Sequence, residues 1–170
     1  MKGGRPPIVY CVFNAVGSGN PSQSDIRYFN LLKAWNRQNH GGPAFVDSHG
    51  LRFPSGARGR RERLRAELEA RLAASDVVLA LFTRRSSRPG SWLTWELRRA
   101  VERYGLPVLC VYPEGMPDEG GPVAGFPAEL GERLRGALVE HLPFRRIPLF
   151  AALSRWRGRS RAGEALYRRR

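Results

Sequence analysis

Four short runs of β-branched, aliphatic and aromatic residues constrain the fold of this chain more than any other feature. They are Ile8 to Phe13 (IVYCVF), Ala44 to Val46 (AFV), Val77 to Phe82 (VVLALF) and Leu106 to Tyr112 (LPVLCVY). Runs that are apolar at consecutive positions are typical of strands buried on both faces. Segments with helical periodicity separate the runs, so the order is β-α-β-α-β-α-β. This alternation predicts a parallel sheet with helices on both faces.

Apolar residues at helical spacing define the three segments between the strands. The first has an apolar face made of Tyr28, Leu31, Leu32 and Trp35, and we expect it to start near Ser24 or Asp25. The second has Leu64, Leu68 and Leu72 on one face. The third runs from about Trp92 to Tyr104, with an apolar stripe of Leu93, Leu97, Ala100, Val101 and Tyr104.

The periodicity is weaker beyond Pro113. We interpret Pro113 to Pro127 as a loop, Ala128 to His141 as a helix, Pro143 to Phe150 as a short fifth strand and Phe150 to Trp156 as a further helix. A chain of 170 residues has the size of one domain. We therefore expect a single domain over residues 1–156, with a sheet of four to five strands in the flavodoxin-like order 2-1-3-4-5, and a basic tail over residues 157–170.

Charge and cysteine content narrow the classes of function. The net charge is +14, almost entirely from arginine, and the C-terminal tail is the most basic part. This charge predicts attraction to polyanions, including contact of the tail with nucleic acid. Cys11 and Cys110 lie in buried strands, and neither they nor the three histidines show metal-ligand spacing. We expect no metal. No apolar run is long enough to span a membrane, so we expect a cytoplasmic protein.

The ligand site of such a sheet lies beyond the carboxyl ends of its strands, where the strand order reverses. Here that position is between the first and third strands, and the loops from Asn14 to Ser24 and from Thr83 to Ser91 border it. The second loop leads to Trp92 and Glu96, which share one side of a helix, apart from the apolar stripe. Packing and the helix dipole also account for a tryptophan and an acid at a helix start. Gly17-Ser18-Gly19 lacks the third glycine of a dinucleotide-binding loop, which favours a plain polar loop.

Several segments together resemble a known family. They are YFNLLKAWN, FVDSH, the VVLALF strand and SSRPGSWLTWELRRAVERYGLPVLCVYP, in which Trp92 precedes Glu96 by four positions. This combination is similar to the bacterial TIR-like family that includes the TIR-like protein of Thoeris anti-phage defence systems, over roughly Ile8 to Pro113. The resemblance implies a flavodoxin-like TIR fold and cleavage of NAD between nicotinamide and ribose. It also implies a cyclic ADP-ribose-type product that switches on a separate effector.

The resemblance implies roles for particular residues. Glu96 corresponds to the essential carboxylate of the family and would stabilise the oxocarbenium-like transition state. Around it we place Phe13 and Asn14 at the end of the first strand, Asp47 at the end of the second, and Trp92 as a wall of the site. Arg84 or Arg85 would hold the pyrophosphate. NAD is then a substrate, no separate cofactor is expected, and a homo-oligomer is one possible assembly.

Three alternatives remain open at this point. The first is a non-catalytic TIR-like interaction module that assembles through the loop from Asp47 to Gly59. The second is nucleic-acid binding through the arginine-rich C-terminus, beyond Arg157. The third is the nucleoside deoxyribosyltransferase class, which uses a glutamate on a similar fold as its nucleophile.

Overall fold

The structure, a computed structural model, describes residues 5–14, 24–47, 59–84, 86, 92–116, 134 and 136–156. Five parallel strands form one sheet: β1 (Ile8–Val12), β2 (Ala44–Asp47), β3 (Val77–Leu81), β4 (Val108–Tyr112) and β5 (Val139–Pro143). Their order is β2-β1-β3-β4-β5. This is the flavodoxin-like order that the sequence predicts, and the prediction is confirmed.

The described part of the chain contains four helices: α1 (Ile26–Arg37), α2 (Arg60–Ala74), α3 (Trp92–Glu102) and α4 (Arg146–Ser154). The core is split by the sheet into two layers. Residues of α2 and α3 pack on one face of the sheet with Tyr10 and Val12 of β1. Residues of α1 and α4 pack on the other face with Val9 and Cys11. None of these described helices has the length and apolar character needed to cross a bilayer.

The strand interiors explain why the sheet was predictable. Every residue of β3 and β4 is buried, as expected for strands covered by helices on both sides. Cys11 and Cys110 are also buried, and burial raises the pKa of both thiols, that of Cys110 to about 12. Both cysteines therefore pack as small apolar residues, as the sequence predicts.

The buried face of α1 differs from the prediction by one helical position. Leu31 was expected on the apolar face but is 41% exposed, whereas Phe29 and Leu32 are buried. The ring of Phe29 stacks on that of Phe13 with 5.2 Å between centroids. This aromatic contact turns Phe29 toward the sheet. Consecutive positions on a helix point about 100° apart, and Leu31 comes two positions after Phe29, so the Leu31 side chain points away from the sheet.

The C-terminal elements begin earlier than the sequence indicates. The end of the predicted helix, from Val139 to His141, belongs to β5. The predicted strand from Pro143 to Phe150 is wrong, because α4 occupies most of that range. β5 is an edge strand that carries Glu140 and His141, so it lacks the continuous apolar pattern of the inner strands. Pro148 lies in the first turn of α4, where its missing N–H costs no helical hydrogen bond. The predicted loop after Met116 and the start of the predicted helix at Ala128 lie outside the described residues.

Candidate functional site

Glu96 lies in a buried contact between helix α3 and the central part of the sheet. Its side chain is 1% exposed, and the Tyr10 hydroxyl donates a hydrogen bond of 2.7 Å to Glu96 Oε1. Tyr10 belongs to β1 and is itself fully buried. A short hydrogen bond between a phenol and a carboxyl group in an apolar layer fixes the position of that group. The structure therefore brings the predicted carboxyl group of Glu96 into contact with Tyr10, which lies 86 residues away in the chain.

The orientation of Glu96 corrects one expectation from the sequence. Glu96 does not lie apart from the apolar stripe of α3, since it is buried together with Leu93, Leu97 and Ala100. Trp92, four positions earlier, is 39% exposed at the start of the helix. The two residues share a side of α3 in the helical projection, but the sheet covers only the position of Glu96. The buried stripe of α3 thus includes one charged residue type, Glu96, which accepts a hydrogen bond from Tyr10.

The two residues predicted at the end of β1 are both buried. Phe13 packs with Phe29 in the layer of α1 and α4, on the opposite face of the sheet from Tyr10 and Glu96. Asn14 is the next residue and is also buried. Both lie at the carboxyl end of the sheet, where the strand order reverses between β1 and β3. Phe13 therefore packs in the core layer of α1 and α4, next to the strand-order reversal, and does not face Glu96.

Asp25, Thr83 and Ser86 form a second buried polar group at this edge, which the sequence reading did not identify. The Thr83 hydroxyl donates to Asp25 Oδ2 at 2.9 Å, and the Thr83 backbone N–H donates to Ser86 Oγ at 2.9 Å. These contacts join the start of α1 to the segment that follows β3. The sequence showed Asp25 only as a helix start, because a partner 58 positions away leaves no local pattern.

Asp47 and Arg84 lie at the ends of β2 and β3, the two strands on either side of β1, and each is beside a group of opposite charge. Asp47 ends β2, and its Oδ1 lies 4.0 Å from the guanidinium of Arg71 on α2. Arg84 follows β3, and its backbone N–H donates to Glu114 Oε2 at 3.0 Å. A carboxylate this close to Arg84 weakens the attraction of that region for a pyrophosphate. The other predicted pyrophosphate residue, Arg85, lies outside the described residues, as do Gly17-Ser18-Gly19 and most of the loop from Asp47 to Gly59.

Helices α2 and α3 meet along a seam whose two ends differ in chemistry. At the lower end, Glu69 of α2 accepts hydrogen bonds from Arg99 Nε at 2.5 Å and from the Tyr104 hydroxyl. At the upper end, nearer the start of both helices, the Arg65 guanidinium lies 5.9 Å from the centre of the Trp95 ring. Trp95 in turn contacts Trp92 edge-on, with 5.4 Å between ring centres. The lower end is thus an ion-paired contact, and the upper end combines cations with aromatic rings.

The Glu69 contact predicts how acid affects stability. Burial alone would raise the pKa of Glu69, but the hydrogen bonds from Tyr104 and Arg99 outweigh it and hold that pKa below its ordinary value of 4.5. Because the folded pKa lies below the unfolded one, Glu69 stabilises the fold above pH 4.5, and this contribution is lost as the pH falls through the folded pKa. We expect Glu69→Gln to lower the melting temperature at pH 7, and the difference from the wild type to shrink below pH 4.5. Melting curves at pH 7, 5, 4 and 3 measure it, and a difference that stays constant with pH would contradict it.

No group of three or more histidine, cysteine, aspartate or glutamate side chains in the described ranges is arranged to hold a metal ion. Two buried carboxyl groups accept hydrogen bonds near the reversal of strand order: Glu96 from the Tyr10 hydroxyl on one face of the sheet, and Asp25 from the Thr83 hydroxyl on the other. Such groups suit recognition of hydroxyls, as on a sugar, and stabilisation of a positive charge that develops during a reaction.

Comparison with known proteins gives a family and a fold. Residues 10–118 match the family model described as "Thoeris protein ThsB, TIR-like domain". No curated protein sequence matches the chain. Among solved structures, a 2-deoxyribosyltransferase from Bacillus psychrosaccharolyticus is similar with a TM-score of 0.57 and 11% identity, covering 85% of this chain and 94% of that one. A conserved protein from Enterococcus faecalis is similar with a TM-score of 0.61 and 9% identity, covering 88% of this chain and 98% of that one. At such identities the two structures support the fold alone.

Proposed function

Because the chain belongs to the TIR-like domain family of the Thoeris protein ThsB, we propose that it cleaves NAD between nicotinamide and ribose. The remaining ADP-ribose unit closes into a cyclic product, which acts as a signal for a separate effector. NAD is the substrate in this proposal, and no further cofactor takes part.

The observation that carries this proposal is the position of Glu96. The carboxyl group lies under the start of α3, next to the reversal of strand order, and Tyr10 fixes one of its oxygens at 2.7 Å. Loss of nicotinamide leaves an oxocarbenium-like ribose, and a fixed carboxylate beside it stabilises the positive charge. Nicotinamide leaves as a neutral molecule from a cationic pyridinium, so its departure needs no general acid. One carboxylate therefore suffices for the bond cleavage.

The burial of Glu96 sets a condition on this chemistry. A side chain that is 1% exposed can touch a substrate only after neighbouring groups move. We therefore propose that the described conformation is the resting form and that NAD reaches Glu96 when the groups that bury its side chain shift. An enzyme of this kind requires a trigger or an assembled state for full activity.

The other predicted site residues take positions around this centre in the proposal. Asn14 and the Asp25–Thr83 pair border the site at the ends of β1 and β3 and would bind ribose hydroxyls. Trp92 would form a wall of the site, since much of its ring is open to solvent. Asp47, at the end of β2, lies farther along the same edge of the sheet.

Incubation of the purified protein with NAD tests the proposal. Nicotinamide release is followed by chromatography, and the ribose-containing product is identified by mass spectrometry. A cyclic or hydrolysed ADP-ribose product that Glu96→Gln no longer forms supports the proposal. Transfer of a deoxyribosyl group between bases, with NAD left intact, would instead assign the protein to the deoxyribosyltransferase class.

The burial of Glu96 also favours a second candidate function, a non-catalytic TIR-like interaction module. A carboxyl group that is enclosed by the core and bonded to a buried tyrosine can have a purely structural role. In that case Glu96→Gln would leave self-association and partner binding unchanged, and NAD would stay intact under all assembly conditions. Measuring sedimentation and NAD consumption on the same samples separates the two candidates.

A further inference from the structure

We infer that the upper end of the α2–α3 seam binds the diphosphate and adenine of NAD, with Arg61 and Arg65 on the phosphates and Trp92 against the base. This inference rests on the proposed function, because it names a subsite for the same substrate. It moves the phosphate-binding role away from Arg84, where the sequence reading placed it.

The contacts across the seam fix how α2 and α3 lie against each other. Both helices follow a strand of the parallel sheet on the same face, so they run in the same direction. Arg65 contacts Trp95 and Glu69 contacts Arg99, two pairs one helical turn apart on each helix. One turn further toward the start of each helix, Arg61 lies four positions before Arg65 on α2, and Trp92 lies three positions before Trp95 on α3 and contacts its ring edge-on. Arg61, Arg65 and the two tryptophans therefore form one surface at the carboxyl edge of the sheet.

The charge on this surface is not neutralised within the described residues. The first six residues of α2 include four exposed arginines and one acid, which are Arg60, Arg61, Glu62, Arg63 and Arg65. No described carboxylate forms an ion pair with any of these arginines, whereas Arg71 and Arg99 farther along the seam are paired with Glu67 and Glu69. Cations at the N-terminal end of a helix oppose its dipole. An anionic ligand would remove this unfavourable interaction.

The position of the surface relative to Glu96 suits a dinucleotide. Trp95, which Arg65 contacts, is the residue before Glu96 in α3. In NAD the diphosphate is attached to the same ribose whose bond to nicotinamide is cleaved. When that ribose lies at Glu96, the phosphates of the substrate are therefore separated from the cleaved bond by one sugar ring and lie toward an edge of the site. Guanidinium groups bind phosphate oxygens in pairs, and an exposed indole offers a flat face for adenine.

Titration of ADP-ribose into the protein by calorimetry tests the subsite without any catalytic step. We expect Arg61→Gln/Arg65→Gln to weaken ADP-ribose binding ~10-fold or more, since hydrogen bonds between charged groups are lost. The matched control is Arg37→Gln/Arg146→Gln, which removes the same charge from α1 and α4 on the other face of the sheet. The control is expected to bind as the wild type does. Melting temperature serves as a folding check. Loss of cations from the start of α2 favours the helix and loss of the Arg65–Trp95 contact opposes this effect, so the first variant should melt close to the wild type.

Three outcomes would overturn the inference: equal binding by the wild type and the Arg61/Arg65 variant, equal losses in the variant and the control, or no binding of ADP-ribose to the wild type. A single-stranded oligonucleotide is titrated in parallel, because its phosphates and bases share the same chemistry. If the first outcome is accompanied by loss of oligonucleotide binding in the variant, the surface is assigned to nucleic acid. Failure of the proposed function has a different signature, namely NAD cleavage that is absent under all assembly conditions, or insensitive to Glu96→Gln, while ADP-ribose binding follows the arginines.

Discussion

Glu96→Gln is expected to reduce the rate of nicotinamide release by ~10³-fold while the protein stays folded. Glutamine has nearly the same shape as glutamate, and its amide oxygen can still accept the 2.7 Å hydrogen bond from Tyr10. The variant therefore removes the negative charge and keeps the contact with Tyr10. If this charge stabilises the oxocarbenium-like ribose, most of its effect appears in kcat, because the charge on the sugar develops only in the transition state. Single-turnover nicotinamide release and a melting curve, measured on the same preparation, check both parts.

Glu69→Gln is the matched control for this experiment. It makes the same chemical change on α2, in a carboxylate that is hydrogen-bonded to Arg99 and Tyr104 and lies at the lower end of the seam. We expect Glu69→Gln to lower the melting temperature at neutral pH and to leave nicotinamide release within a few-fold of the wild type. If Glu96→Gln also releases nicotinamide at close to the wild-type rate, Glu96 is not the catalytic carboxylate and the interaction-module candidate gains support.

The sheet could be predicted because each inner strand is identified by a run of consecutive residues in the sequence. A strand buried on both faces requires consecutive apolar residues, and β1, β3 and β4 each satisfy this over five positions. The connections then restrict the topology, because helices between parallel strands must cross over with one handedness. The position that we propose for the site follows from the strand order without any knowledge of side-chain contacts.

The edge of the sheet could not be predicted in the same way. β5 has a neighbour on one side only, so its sequence retains Glu140 and His141 and resembles a helix. The Tyr112 hydroxyl at the end of β4 meets His141 Nδ1 at 2.7 Å, which anchors this polar strand through a side chain. Such a contact depends on two residues far apart in the chain and leaves no periodic pattern.

The environment of Glu96 was the largest gap between sequence and structure. A helical projection separates polar from apolar positions, and it therefore placed Glu96 outside the buried stripe. The structure buries it because Tyr10 brings a hydroxyl into the apolar layer at the matching height. The Thr83 hydroxyl has the same role toward Asp25 on the other face of the sheet. The donor is a residue of β1 in the first case and a residue that directly follows β3 in the second, so sheet geometry determines where the two carboxyl groups are buried.

Tyr10→Phe is expected to lower kcat for nicotinamide release ~10- to 100-fold with a smaller change in KM, because Tyr10 positions Glu96 and has no proposed contact with substrate. Phenylalanine keeps the ring in the core and removes only the hydroxyl that holds Glu96 Oε1. The free energy of unfolding should fall by ~1–3 kcal/mol, since a buried carboxyl group loses a hydrogen-bond donor. Steady-state kinetics and urea denaturation of the same variant measure the two effects.

Tyr112→Phe provides the comparison that separates positioning from stability. Tyr112 is a buried tyrosine in the same layer of the core, and its hydroxyl bonds to His141 and not to Glu96. Both variants lose one hydroxyl from one core layer, so both should be destabilised, but only Tyr10→Phe should lose activity. If Tyr10 acts through Glu96, adding Tyr10→Phe to Glu96→Gln should not slow the reaction further, because the charge that Tyr10 positions is already gone. Equal losses of activity in Tyr10→Phe and Tyr112→Phe would instead show that the tyrosine contributes only to the stability of the core.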